Sequence, residues 1–104
     1  MQKWGCEMIS HVVLFKFLPG VSIEGDDVKA FHAAMLDLPG KIDLIRGWRC
    51  GFNETPDAEA ADYVLVAEFE SQVDLYAYFE HPAHVGVLKR LEGLATLVFG
   101  DISG

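Results

Sequence analysis

Two histidines and a tyrosine are the side chains of this sequence best suited to moving protons. His84 closes the run His81-Pro82-Ala83-His84, and Tyr78 stands three residues before that run begins. His11 lies far away in sequence, inside the apolar stretch Ile9-Ser10-His11-Val12-Val13-Leu14-Phe15. Imidazole titrates near neutral pH and can both accept and release a proton. A phenol hydroxyl can hold an imidazole in place or donate to an oxygen that becomes negative. Each residue also has an ordinary use. A histidine on an apolar face can be a core residue with its ring nitrogens hydrogen-bonded, and Tyr78 can be packing. His81, ahead of a proline, suits a helix cap.

Other combinations are weaker. His81 and His84 are spaced for two metal ligands, but no Cys/His cluster adds the third and fourth. Glu80 is a candidate contributor to a Mg²⁺ site. Gly47, Gly51, Gly86 and Gly93 form no phosphate-binding pattern, and no Ser or Cys sits on a nucleophile elbow. His32 is expected at the surface of the first helix.

The elements that must position these residues follow from apolar period and punctuation. Ile9 to Phe17 is rich in β-branched and aromatic residues and reads as a strand ended by Pro19-Gly20. Ser22, Asp26 and Asp27 supply N-terminal chemistry for a helix whose apolar stripe is Val28, Phe31, Met35 and Leu38. Pro39-Gly40 is expected to stop it. Ile45 to Phe52 reads as a second strand, Asn53 to Ala61 as a polar loop, and Tyr63 to Phe69 as a third strand. Ser71-Gln72-Val73-Asp74 resembles a capping box and opens a helix to about Glu80. Pro82 forces a break, a helical stretch runs from Ala83 to about Leu91, and Leu94 to Ile102 is the last strand. The order β-α-β-β-α-β is a split βαβ, ferredoxin-like α+β unit with a four-stranded antiparallel sheet.

His84, Leu88 and Leu91 share one helical face, which points His84 toward a core or cavity. Tyr78 approaches the same region from across the break, and His11 lies on a strand that this topology places in the sheet interior. The three are therefore expected to converge in a pocket between sheet and helices, with Phe31, Val13 and Leu88 as further lining.

The strands add a prediction about assembly. In the first, Ile9, His11, Val13, Phe15 and Phe17 share one face, yet Val12 and Leu14 keep the other face apolar. The third strand repeats this with Val64 and Val66, and the fourth with Val98 and Ile102. Two helices cover only one face, so the other would leave an apolar patch in water. A second copy packed sheet against sheet removes it, which predicts a homodimer.

Composition narrows the partners. The chain has 104 residues, a single-domain length. Its net charge of −8 disfavours phosphate backbones and anionic lipid surfaces, so neither nucleic acid nor membrane is expected as a partner. No apolar stretch approaches the roughly 20 residues of a membrane span, and no secretory leader is evident. Cys6 and Cys50 are too few for a disulfide framework. A reduced, cytoplasmic protein is the expectation. Met1 to Glu7 lacks periodicity and reads as a flexible N-terminal extension, with Met8 an alternative start and 8–104 the domain.

Three segments carry a family resemblance: Ile9 to Phe17; Asp62 to Val66 with Phe69-Glu70-Ser71; and Tyr78-Phe79-Glu80-His81-Pro82-Ala83-His84. Together they resemble the stress-responsive dimeric α/β-barrel (Dabb) family, over essentially Met8 to Ser103. The resemblance implies a ferredoxin-like protomer that pairs into a homodimeric α/β barrel. It also implies a relation to olivetolic acid cyclase-type proteins, which close a polyketide without a cofactor. Their helix histidine base, assisting tyrosine and strand histidine match His84, Tyr78 and His11. Phe31 falls near a further tyrosine of those cyclases and has no hydroxyl. Some plant members are similar but bind Mg²⁺, and others are stress proteins with no established reaction.

The activity so implied is a cofactor-independent cyclase, lyase or isomerase acting on a small hydrophobic, enolisable carbonyl compound. The alternatives are a non-catalytic stress-response or small-ligand-binding homodimer, and haem or flavin-free oxygenation as in neighbouring dimeric barrels.

Overall fold

A computed structural model describes residues 8–104. The N-terminal extension expected over Met1–Glu7, with Trp4 and Cys6, lies outside the described residues. The rest folds into β1 (Ile9–Phe17), α1 (Asp26–Lys41), β2 (Gly47–Phe52), β3 (Tyr63–Phe69), α2 (Gln72–Glu80), α3 (Pro82–Leu91) and β4 (Ala95–Ser103). The strands form one antiparallel sheet in the order β2-β3-β1-β4. This is the ferredoxin-like α+β arrangement expected from the order of elements.

β1 is central, which explains its apolar character on both faces. Val13 stands opposite Leu65 of β3 and Phe99 of β4. Its inward face, with His11, Val13, Phe15 and Phe17, is buried under the helices. α1 answers with Val28, Phe31, Met35 and Leu38, all buried and spaced to form one stripe. Tyr63, Leu65, Ala67 and Phe69 of β3 complete this core with Leu75 and Tyr78 of α2.

The other sheet face has no helix. There Leu14, Val66, Val98 and Ile102 are 41%, 37%, 65% and 69% exposed. They form a contiguous apolar surface across β3, β1 and β4, because Leu14 lies opposite Val98 and Val12 lies opposite Val66.

Three local details differ from the sequence reading. α1 continues through Pro39-Gly40 to Lys41. A proline in the last turn forfeits only the bond to the carbonyl four residues back, and the following turn closes when Ile42 N–H donates to the Leu38 carbonyl. No side chain caps the start of α1, where Gly25 is the N-cap. Ser22 instead accepts from Glu24 N–H in the preceding turn, while Asp26 and Asp27 face the positive helix end. β2 begins at Gly47 rather than Ile45, because Ile45 N–H is used in a turn to Ile42.

The α2–α3 junction positions the chemistry. Ser71 caps α2 by accepting from Asp74 N–H. His81 then adopts an extended conformation, as a residue before proline prefers, and Pro82 takes the first position of α3. The His81 ring accepts from Ala83 N–H at 3.1 Å, which is the capping role expected of it. Gly93, with φ of 75°, turns the chain out of α3 into β4.

Candidate functional site

A cavity of about 320 Å³ lies between the inward sheet face and the helices. His11 and Val13 line it from β1, Tyr78 from α2, and His84 and Leu88 from α3. Thus five of the six side chains expected around a pocket surround one space. Phe31 does not. It is fully buried against Phe15 and Tyr63, at ring separations of 5.5 and 5.0 Å, and belongs to the solid core. Its place in the α1 stripe marks it as inward-facing, and only packing depth separates core from cavity wall.

The break at His81 folds α3 back so that the Tyr78 and His84 rings lie 4.4 Å apart. His11 reaches the same place from the sheet, 5.9 Å from the Tyr78 ring and 5.3 Å from the Phe79 ring. Phe79 and Phe99 also touch each other, at 5.9 Å, and close over His11.

His84 Nδ1 lies 3.0 Å from the Phe79 carbonyl oxygen. A carbonyl can only accept, so Nδ1 carries the hydrogen and Nε2 keeps its lone pair in the neutral ring. Burial lowers the His84 pKa from its ordinary value. The Phe79 bond opposes this, and the neighbouring His11 and His81 rings add to the lowering. The ring is therefore neutral at pH 7, the state a general base requires.

His11 is buried and its Nδ1 lies 2.6 Å from Oδ1 of Asp101 on β4. The carboxylate fixes Nδ1 as the donor and leaves Nε2 as an acceptor in the neutral ring. In that neutral ring Nε2 has no hydrogen for the donor role toward a substrate oxygen that the sequence reading supposes.

Asp101 is missed by the sequence reading. The signal lies in Leu97, Phe99 and Asp101, which alternate onto one face of β4 and put a lone acid opposite His11.

Tyr78 is buried, and its hydroxyl pKa is raised by that burial and by the nearby Cys50 thiol. It stays protonated at neutral pH. His32 is not the free surface residue expected. It is half-buried, and its Nδ1 lies 2.5 Å from the Tyr63 hydroxyl, away from the cavity.

No three metal-ligating side chains come together among the described residues. Glu80, the contributor expected at a Mg²⁺ site, does not line the cavity.

The His84 shift predicts a pH effect on stability. Above its ordinary value of 6.5 the ring is neutral both folded and unfolded. As pH falls through that value the unfolded chain takes up the proton first, because the folded pKa is lower. The melting temperature should therefore drop as pH falls from 7 toward 5, and the drop should be smaller in His84→Gln. An equal decline in both proteins would show that His84 is not the source.

The fold agrees with the comparisons. The sequence matches the Stress responsive A/B Barrel Domain (Dabb) over residues 9–102. It is 34% identical over 94 residues to an uncharacterized protein of Streptomyces coelicolor, covering 90% of this chain and 97% of that one. A dimeric protein of unknown function and ferredoxin-like fold from Bacteroides fragilis superposes with a TM-score of 0.81. The two are 32% identical, and the match covers 93% of this chain and 96% of that one. The hydroxynitrile lyase of Passiflora edulis has the same fold at TM-score 0.81 and 16% identity, over 95% and 94% of the two chains. With a family match spanning all four strands and all three helices, this chain belongs to the stress-responsive A/B barrel domain (Dabb) family.

Proposed function

We propose that this protein is a cytoplasmic homodimer whose subunits each bind a small apolar carbonyl compound and move a proton on it without a cofactor. The reaction is of lyase, cyclase or isomerase type. The observation that carries this reading is the His84 hydrogen bond to the Phe79 carbonyl, which leaves a neutral Nε2 beside Tyr78 and His11 in an apolar cavity.

In this mechanism His84 Nε2 takes a proton from the carbon next to the carbonyl, and the electron pair moves onto the carbonyl oxygen. Tyr78 O–H donates to that oxygen as its charge grows, and the His11 ring packs beside it. Asp101 holds His11 at Nδ1. The enolate then attacks a second carbonyl, expels a leaving group or regains a proton at another carbon. Tyr78 and the two histidines suffice for the proton transfers, so no metal is invoked.

The non-catalytic alternative would use both imidazoles to satisfy the core. The cavity beside them favours chemistry, as does the ring nitrogen that each histidine keeps clear of its bond to Phe79 or Asp101. A hydroxynitrile lyase is built on this fold, which supports an enzymatic reading. Assembly is supported by the open apolar face and by the dimeric Bacteroides fragilis relative.

The test is hydrogen exchange. Ketones that bind the protein should lose their α-proton NMR signals in D2O faster with protein than with buffer alone. Binding without accelerated exchange across a ketone panel would favour the non-catalytic reading.

A further inference from the structure

The cavity wall bears on the charge of its occupant. Among the described residues, no lysine or arginine lines it. Its polar side chains are His11, Tyr78 and His84, and the rest of the wall is hydrocarbon, aromatic ring and the Met35 thioether. No aspartate or glutamate lines it either, and Asp101 is bound to His11 Nδ1. The whole chain carries a net charge of −8.

The polar groups are also gathered at one end. His11, Val13 and Phe15 follow one another along the same face of β1, a span of about 13 Å at the usual strand rise. Tyr78 and His84 cluster with His11, whereas Val13 and Phe15 continue the wall as apolar surface. Leu88, Leu97 and Phe99 line the cavity yet are 40%, 36% and 56% exposed, so the mouth lies between α3 and β4 and is also apolar.

We infer that this site takes an uncharged molecule with a single carbonyl or hydroxyl head at the His11 end and an apolar body along β1, and that it rejects carboxylates and phosphates. The inference rests on the ligand-pocket reading above and narrows it. A ketone gives up weak hydration and regains a hydrogen bond from Tyr78. An anion loses its hydration, meets no cation, and is repelled by Asp101. The selection is therefore a desolvation filter acting on charge rather than on shape. The cavity is near the lower end of the usual ligand-site range, which limits the occupant to a small molecule.

Phenylacetone and phenylacetate test this, because they differ only by a methyl group in place of a charged oxygen. Titration calorimetry on the full chain at pH 8, where His84 is neutral, should give phenylacetone roughly 100-fold the affinity of phenylacetate. Leu88→Arg places a cation at the exposed mouth and should raise phenylacetate affinity by about tenfold or more. Equal affinities in the native protein would overturn the charge filter and leave the ligand pocket standing. Failure of Leu88→Arg to improve phenylacetate binding would overturn the missing cation as its cause. If neither compound binds, the pocket reading falls and takes the filter with it.

Discussion

Replacing His84 by glutamine should slow α-proton exchange on a bound ketone by about 10²–10⁴-fold, the usual contribution of a positioned general base. Glutamine is chosen because its amide N–H can still donate to the Phe79 carbonyl, so the carbonyl keeps a partner and the α2–α3 junction is not left with an orphaned acceptor. What disappears is the lone pair of Nε2. The measurement is the exchange rate at saturating ketone, compared with the dissociation constant of the same ketone. Loss of rate with retained binding identifies a base. Full retention of rate would remove His84 from that role, and unchanged exchange in both His84→Gln and Tyr78→Phe would remove the whole cluster from the chemistry. The rate of the native protein should fall at a lower pH than an ordinary imidazole would give, because burial lowers the His84 pKa.

Leu14→Arg should separate the subunits. Leu14 sits on the central strand of the open sheet face, opposite Val64 and Val98 and two residues from Lys16 on the same face. In a lone subunit the new guanidinium would be in water, since Leu14 is already 41% exposed. In a sheet-to-sheet dimer it would be buried beside apolar residues and another cation, at a cost of about 3–5 kcal/mol. That corresponds to roughly 10²–10⁴-fold in the dimer dissociation constant. Sedimentation equilibrium over a concentration series reads this directly. The native chain should remain dimeric at micromolar concentration, with an interface of about 2,000 Å² or more for an obligate pair. A native chain that sediments as a stable single subunit would refute the assembly, and an unchanged dimer in Leu14→Arg would place the interface elsewhere.

The histidine cluster is partly legible in the sequence. Leu88 and Leu91 share the helical phase of His84 and mark it as inward-facing, and the period of two along β1 does the same for His11. Tyr78 followed from the proline break, since His81-Pro82 must bend the chain and bring the end of α2 against the start of α3. Asp101 is harder to read, because an acid near the end of a strand looks like a solvated terminus. Only the β1–β4 register, with His11 opposite Asp101, makes it a partner. His32 is hidden in the same way. Its neighbour is Tyr63, 31 residues away, and no local pattern reports that contact.

The amino-acid sequence by itself determined the order and type of the elements, the inward phase of the histidines and the surplus apolar face. These depend on local period, turn chemistry and proline geometry, all of which act within a few residues. Tertiary structure alone decided that Phe31 is solid core rather than cavity wall, which ring nitrogen of each histidine is occupied, and that no lysine or arginine lines the cavity. Those properties depend on which distant side chains meet and how completely they fill the space between the sheet and its helices. Packing of that kind is a property of the assembled chain and leaves no signature in the spacing of its residues.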